Sequence, residues 1–354
     1  MKNYFSKYIT IILLFIIISC SSTKEIFDAE KSTFKIIDEI EPRIISLEGE
    51  ISERKSEISG LCWFNDFLLL LPQYPNFLTK NENGIIYYIK KGEINNYLFS
   101  NASNVISPKT FKIDLSDLDK YFNEGSGFEG ISVIDNKIFL TIESMKNGEM
   151  QSLIISGDID STNKTISLDK NSIKNIPVSA EIFNLSCEAI ASKNDTIIPI
   201  YEANGKNVNP NTFVNIFNNN LEIQEKINFP NVEYRITDAT IIDENGKFWA
   251  INYLFPKDGK KLIPAEDQLF IRHGIGKTHK NSKAVERIVE FELKNHKISI
   301  TDKQPVYIKL LENDSRNWEG LAKLDEKGFL VITDTFPQTI FAFIPYNFSY
   351  LPEK

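Results

Sequence analysis

A short motif recurs five times along this chain, and it constrains the fold more than any other feature. Each copy is an acidic residue followed closely by a small residue and an aliphatic one. The copies are Glu57-Ile58-Ser59-Gly60-Leu61, Glu129-Gly130-Ile131, Glu188-Ala189-Ile190, Asp238-Ala239-Thr240-Ile241 and Glu319-Gly320-Leu321. Self-similarity at intervals of about 50 to 80 residues is typical of proteins built from stacked or radially arranged repeats.

Each copy begins the same local pattern, in which two strands are joined by a tight polar turn. Asn, Asp and Gly dominate these turns, and they tolerate the positive φ that a tight hairpin needs. Two further β-rich runs follow most copies, so each repeat predicts four antiparallel strands. Four such strands per repeat are the pattern of a β-propeller blade. The sequence therefore predicts an all-β fold.

We predict a single β-propeller domain over residues 34–354, with five blades favoured and six possible. A sixth blade would have to form within residues 100–127, where we instead assign 110–115 as the outer strand of the first repeat. The last repeat has room for only three strands, and residues 43–49 are placed to supply the fourth. Closure by strands from both chain ends leaves no open sheet edge. A two-sheet sandwich is the alternative.

A second polar residue ends the second strand of each repeat, about fifteen residues after the acid. In a propeller, the start of the first strand and the end of the second lie at the same end of the central channel. Two rings of polar side chains are therefore expected to face each other there. The predicted pairs are Glu57 with Gln73, Glu129 with Glu143, Glu188 with Glu202, Asp238 with Asn252 and Glu319 with Asp334.

Eight of these side chains are carboxylates, and like charges at close range raise each other's pKa or require a cation. One solution is calcium, which suits several oxygen ligands. The predicted metal ligands are Glu129, Glu143, Glu188 and Glu202. A second solution is neutralisation by Arg235 and Arg316, which each precede a repeated acid by three residues. In the third, the acids accept hydrogen bonds from backbone N–H groups of neighbouring repeats and are structural.

The fourth repeat carries an insertion, residues 253–284, between its second and third strands. The insertion is basic, bears glycines and contains two of the three histidines of the chain. A loop of this kind above an acidic channel could bind an anionic group. We assign Arg235, Arg272 and His273 as candidate substrate-binding residues, and the alternative is a solvated surface loop.

The N-terminus has the features of a lipoprotein signal. A short basic start precedes a run of apolar residues that ends at Ser19-Cys20. The run is too short to span a bilayer, which takes roughly 20 apolar residues. We predict a signal peptide over residues 1–19, lipidation of Cys20 and a tether over 20–33. Lipid chains would hold the protein on a membrane of the cell envelope, with the outer membrane favoured.

The net charge and the cysteine content limit the kinds of binding partner and of covalent cross-link that we expect. The net charge is −8, which excludes nucleic acid because binding to it requires a basic face. The remaining chain has the composition of a globular protein, and we expect a monomer. Cys62 and Cys187 fall in different repeats, and two cysteines do not make a disulfide framework. We predict that both are free, buried thiols.

The repeated Glu-Gly-Ile starts, the hairpins ending in Thr141-Ile142-Glu143 or Ile332-Thr333-Asp334, and the lipoprotein signal resemble the phytase-like and related calcium-associated β-propellers of bacterial envelopes. The resemblance covers nearly the whole chain after the signal. It implies a propeller, a calcium-type site and metal-dependent hydrolysis of phosphoester or ester bonds in small anionic substrates. The chain lacks the dense Asp run and the Lys/Arg cluster of alkaline phytases, which argues against phytate as the substrate.

Two classes of function stay open at this point. In the first, the protein is a metal-dependent hydrolase whose bound ion lowers the pKa of a water molecule. In the second, it is a non-catalytic envelope module that binds a glycan or a protein at the acidic channel. Five-bladed glycosidases also place carboxylates at the axis, and a two-carboxylate mechanism depends on their separation.

Overall fold

The computed structural model describes residues 34–76, 83–100, 105–116, 118, 121, 126–146, 148–312 and 315–348. The predicted signal peptide, Cys20 and the whole tether lie outside the described residues, so the lipid anchor stays a prediction. Within the described chain the fold is all-β, as the sequence predicts. No described helix is long and apolar enough to cross a membrane.

The strands form five consecutive units, which follow three short strands near the N-terminus. Those three are β1 (Ile36–Ile37), β2 (Glu39–Ile40) and β3 (Arg43–Ile45). Unit 1 contains β4 (Ile58–Phe64), β5 (Phe67–Pro72), β6 (Asn83–Lys90), helix α1 (Lys91–Phe99) and β7 (Lys109–Asp114). Unit 2 contains β8 (Gly127–Ile134), β9 (Lys137–Lys146), β10 (Glu149–Asp160) and β11 (Thr165–Asn175). Unit 3 contains β12 (Cys187–Lys193), β13 (Thr196–Tyr201), β14 (Phe213–Phe217) and β15 (Ile223–Asn228).

Units 4 and 5 complete the chain, and unit 4 carries the insertion. Unit 4 begins with β16 (Arg235–Ala239) and β17 (Lys247–Leu254). Its insertion holds helices α2 (Gly259–Leu262) and α3 (Gln268–His273) and the short strand β18 (Ile275–Gly276). It ends with β19 (Val285–Lys294), β20 (Lys297–Ile300) and β21 (Val306–Ile308). Unit 5 contains β22 (Trp318–Leu324), β23 (Gly328–Thr333) and β24 (Phe341–Pro345). The 3₁₀ turns are Glu50–Ser52, Arg54–Ser56, Pro256–Asp258 and His279–Asn281.

The first strands of the five units contact one another in a closed cycle. Strand β4 contacts β8, β8 contacts β12, and β12 contacts β16. Strand β16 contacts β22, and β22 returns to β4. The first strands therefore surround a common centre, while units 1 and 2 belong to one eight-stranded sheet. Strands β7 and β11 also pair in parallel, which joins units 1 and 2 at their outer edges.

The hairpin between the first and second strands uses the predicted turn chemistry in every unit. Its positive-φ residues are Asn65, Asp135, Asn194, Gly246 and Asp325. Asn, Asp and Gly adopt this conformation at the lowest steric cost, so the turn positions follow directly from the sequence.

The N-terminal segment completes the last sheet, as predicted from the missing strand. Strand β3 pairs antiparallel with β24, with Ile45 opposite Phe341. The same segment extends unit 4, because β2 pairs with β21, and β1 pairs with β18 of the insertion. Buried apolar side chains fill the space between neighbouring units. Cys62 and Cys187 are free and buried, which confirms that prediction.

Candidate functional site

Polar side chains gather at one end of the ring of sheets, which we call the acidic end. It is the end where each first strand begins and each second strand finishes. Antiparallel pairing brings these positions together, as in Gly127 opposite Glu143 and Cys187 opposite Tyr201. The observed register therefore brings the two predicted rings of polar residues to the same end of the strands.

A β-bulge interrupts the first strand of every unit close to the repeated acid. The bulge inserts an extra residue and redirects the neighbouring side chains. In each unit, the residue that directly follows the last paired residue before the bulge occupies the same place in the register. Those positions are occupied by Ser59, Glu129, Glu188, Thr237 and Glu319. Only three of the five repeated acids are therefore structurally equivalent.

The two hydroxyl residues at this position connect neighbouring units. Ser59 Oγ donates a hydrogen bond to the carbonyl of Phe128, the start of the next unit (2.8 Å). Thr237 Oγ1 donates to the carbonyl of Trp318 in the same way (2.5 Å). These side chains are scaffolding.

Asp238 is not a member of the predicted acid ring, because the bulge moves it one residue further along the strand. Its Oδ2 accepts hydrogen bonds from the backbone N–H of Leu321 (2.7 Å) and Leu61 (3.2 Å), and its Oδ1 accepts from Ala239 (2.8 Å). Burial raises the pKa of Asp238, and these three donors oppose that shift. Asp238 thus ties unit 4 to units 1 and 5, which is the structural role that the sequence left open.

Glu57 is not at the equivalent position either. In unit 1 that position is occupied by Ser59, two residues further along the chain. Its backbone is left-handed (φ 41°), and its carbonyl accepts a hydrogen bond from the N–H of Gln73 (2.7 Å). Burial and the neighbouring Asp334 carboxyl raise its pKa. Glu57 lies beside the acidic end rather than in its ring.

The second ring agrees with the prediction in four units. Its members are Gln73, Glu143, Glu202 and Asp334, and in unit 4 the equivalent residue is Tyr253. The predicted Asn252 instead lies one residue earlier. Its side-chain amide donates to the carbonyl of Glu233 (2.8 Å), and its Oδ1 accepts from Arg287 Nε (2.8 Å). Asn252 is therefore part of a buried structural network.

Arg235 lies at the centre of the acidic end. Its Nη2 donates to Glu188 Oε1 (2.8 Å) and lies 3.8 Å from Glu319 Oε1, while its Nε donates to Glu202 Oε2. Its Nη1 lies 3.9 Å from Asp258 Oδ2, at the start of the insertion. The surrounding carboxylates raise the pKa of Arg235, although burial alone would lower it. Arg235 is thus the buried cation that compensates the acids.

One guanidinium does not neutralise all the carboxyls, and their pKa values rise accordingly. Burial, together with the charge of Glu202, raises the pKa of Glu143 to about 7. Burial also raises the pKa values of Glu129, Glu188, Glu319 and Asp334. Gln73 Nε2 donates to Glu129 Oε1 (2.7 Å), which opposes part of the rise at Glu129.

The predicted calcium ligands are brought to the same end, but their acceptor atoms do not converge. Within the described part of the chain, no three acidic, His or Cys side chains are arranged to hold a metal ion. Arg235 instead contacts both Glu188 and Glu202, where the prediction placed a cation. The other proposed neutralising residue, Arg316, is engaged elsewhere, since its Nε donates to Glu286 Oε2 (3.0 Å) in a buried pair.

Arg272 and His273 are not brought to the acids. They end helix α3, and Arg272 Nη1 lies 3.3 Å from the exposed carboxylate of Asp302, beyond the outer strand β20. Burial lowers the pKa of His273, and the Arg272 charge adds to this shift. Of the three predicted substrate-binding residues, only Arg235 reaches the site.

Three residues that the sequence did not single out belong to the same end. Tyr74 follows Gln73, and burial together with the charge of Glu129 raises its pKa to about 12. Phe183 precedes β12 and is 70% exposed, and Phe336 follows Asp334 and is 54% exposed. The sequence could predict that these residues lie near strand ends, but it could not predict how exposed their side chains are.

Comparison with known proteins finds similarity to solved structures alone. No family model matches the chain, and no curated protein matches it. Similar solved structures include one from the GH130 family of mannoside phosphorylases, which contains glycoside hydrolases that target β-1,2 mannosidic linkages in Candida mannan. It is 10% identical, with a TM-score of 0.46 over 87% of this chain and 92% of that one.

Two further structures have the same level of similarity. A GH43_1 enzyme from Xanthomonas citri is 7% identical, with a TM-score of 0.43 over 85% of this chain and 91% of that one. A glucose dehydrogenase is 7% identical, with a TM-score of 0.44 over 84% and 99%. These similarities assign the chain to no family.

Proposed function

We propose that the acidic end is the active site of a hydrolase that cleaves glycosidic bonds by acid–base chemistry. The proposal rests on the contrast between Glu143 and Glu202. With a pKa of about 7, Glu143 holds a proton over much of the neutral range. Glu202 accepts hydrogen bonds from Arg235 Nε and from the backbone N–H of Ser186, which are the contacts of an ionised carboxylate. Two carboxyl groups in different protonation states are what glycoside hydrolysis requires.

In this mechanism Glu143 is the general acid. It transfers its proton to the leaving-group oxygen while the bond from that oxygen to the anomeric carbon breaks. The Glu202 carboxylate stabilises the positive charge that develops on the sugar ring. A water molecule then attacks the anomeric carbon and gives its proton to Glu143, which restores the general acid. Arg235 positions Glu202 through the hydrogen bond from its Nε.

The charge at this end argues against the small anionic substrate expected from the sequence. Arg235 is already shared among Glu188, Glu202 and Glu319, so it is not free to bind an added anion. Sugar hydroxyls, in contrast, donate hydrogen bonds to carboxylates. The exposed ring of Phe183 offers an apolar face on which a sugar ring can stack, whereas the Arg54 guanidinium already covers one face of Phe336, 4.3 Å from the ring centroid.

We further propose that the five units are the blades of a five-bladed propeller. The closed cycle of contacts among β4, β8, β12, β16 and β22 supports this count. The strand predicted from residues 110–115 is the outer strand β7 of unit 1, which leaves no need for a sixth blade there. The acidic end is then one mouth of the central channel, where propellers commonly bind their ligands.

The proposed enzyme acts in the cell envelope. Support for this location comes from the sequence around Cys20 alone, and the outer membrane is the favoured site. The resemblance to phytase-like propellers and the use of calcium stay predictions of the sequence.

Hydrolysis of a panel of aryl glycosides by the purified protein tests the function. We expect cleavage of at least one glycoside, with activity falling as the pH rises through about 7 and Glu143 loses its proton. Glu143→Gln should lose at least about 100-fold in kcat. Glu244→Gln removes an exposed carboxyl at the opposite end and should leave the rate unchanged.

Two results would overturn this function. One is the absence of cleavage of any glycoside by a protein that nevertheless binds oligosaccharides, which would favour the non-catalytic envelope module. The other is cleavage that a calcium chelator abolishes and that Glu143→Gln leaves intact, which would favour the metal-dependent hydrolase predicted from the sequence.

A further inference from the structure

The acidic end holds more carboxyl groups than Arg235 contacts. Its equivalent and second-ring carboxyls are Glu129, Glu143, Glu188, Glu202, Glu319 and Asp334. Arg235 makes close contacts to Glu188 and Glu202 and a longer one to Glu319.

One oxygen of Glu188 is left without a hydrogen-bond partner at this end of the described chain. Glu188 is only 7% exposed, and its Oε1 accepts a hydrogen bond from Arg235. Its Oε2 is buried and has no hydrogen-bond partner among the described residues. A buried acceptor without a hydrogen-bond donor is rare in folded proteins, so this oxygen calls for an explanation. Glu188 lies amid Glu202, Glu319 and Glu129, whose charges all act on it.

We infer that the saccharide bound at the acidic end carries a protonated amine, and that Glu188 Oε2 accepts a hydrogen bond from it. This inference rests on the proposed function and names its substrate class. An ammonium group supplies both missing elements, an N–H donor for the unpaired oxygen and a positive charge for the excess carboxylates. A neutral sugar hydroxyl supplies only the donor.

An organic cation fits these acids better than a metal ion does. The described acids are not arranged as a metal cage, because a hard cation needs several oxygens converging on one point. They do accept single N–H donors, as Arg235 Nη2 at 2.8 Å from Glu188 Oε1 demonstrates. A ligand amine would repeat on Oε2 the contact that Arg235 makes on Oε1.

Calorimetric titration with two matched oligosaccharides tests the inference. The probes are the β-1,4-linked tetramer of glucosamine and its fully N-acetylated counterpart, which share rings and linkage but differ in amine charge. At pH 6.5 we expect the amine form to bind at least tenfold more tightly, with an affinity that falls as salt is added. Glu188→Gln should remove this preference, and Glu244→Gln should alter neither affinity.

Equal binding of the two tetramers by the wild-type protein would overturn the inference, and so would binding of neither. A calcium salt that displaces the amine form and raises the melting temperature would do the same. The wild-type comparison needs no variant, so poor folding of Glu188→Gln would not leave the question open. Glu143-dependent cleavage of a neutral aryl glycoside would keep the proposed function even if the amine preference failed.

Discussion

Arg235 Nη2 lies 2.8 Å from Glu188 Oε1, and this contact joins the first strand of unit 4 to the first strand of unit 3. The same guanidinium reaches Glu202 through Nε, so one side chain holds a residue of each polar ring. Both carboxylates are buried, which makes the arrangement sensitive to the loss of any one member.

Arg235→Gln should destabilise the protein strongly at alkaline pH and less at acidic pH. At pH 8 the carboxylates lose their buried counter-charge, and removing one partner of such a pair costs about 3–5 kcal/mol. At pH 5 the carboxyls whose pKa values are raised hold protons, so the loss should shrink. Urea unfolding at the two pH values measures the difference. Arg272→Gln, which breaks an exposed pair with Asp302, serves as the control and should cost little.

Glu143→Gln should change how stability depends on pH. The pKa of Glu143 rises from 4.5 to about 7 on folding, so the native state binds the extra proton between those values. The wild type therefore loses stability as the pH rises through this range, on the order of 3 kcal/mol for this group. The variant has no charge to bury, so it should gain on the wild type from pH 5 to pH 8. Parallel pH profiles for the two proteins would show that Glu143 does not titrate in this range.

Asp238→Asn should destabilise the fold by about 2–3 kcal/mol. Asn keeps only one acceptor oxygen, so either the backbone N–H groups of Leu61 and Leu321 or that of Ala239 must face the amide NH2 and lose their acceptor. Thermal unfolding with Asp302→Asn as the exposed control measures the loss. A melting temperature equal to that of the control would remove the structural role assigned to Asp238.

Ile45→Asp and Ile44→Asp form a matched pair in strand β3. Ile45 is 1% exposed and packs in the core, whereas Ile44, the next residue, is 54% exposed. Burying an unpaired carboxylate is among the most destabilising changes, so we expect Ile45→Asp to cost about 4 kcal/mol and Ile44→Asp within about 0.5 kcal/mol. Similar urea midpoints for both variants would contradict closure of unit 5 by β3.

Cys20→Ala should release the protein from membranes. Without the cysteine thiol no lipid can be attached, and the remaining apolar run is too short to span a bilayer. Fractionation and labelling with a lipid precursor measure the effect, and Ser21→Ala is the control. A variant that still sediments with membranes would refute the anchor.

The sequence by itself determined the turns, the order of strands and the need for a closing strand. Asn65, Asp135 and Asn194 tolerate positive φ, so each marks its hairpin whatever surrounds it. The last repeat has room for only three strands, and this predicted that the N-terminal segment supplies the fourth. Strand β3 fills that place. These features depend on local chemistry, which a single sequence displays.

Only the tertiary structure decided which acids belong together. The bulge near each repeated acid leaves Glu188 and Glu319 at the acidic end but moves Asp238 to the neighbouring position. A shift of one residue reverses the direction of a strand side chain, and the sequence motif does not reveal such a shift. The sequence did not reveal which acids Arg235 contacts, for a related reason. Its contacts with Glu188 and Glu202 join residues that are distant in the chain and become neighbours only when units 3 and 4 pack together.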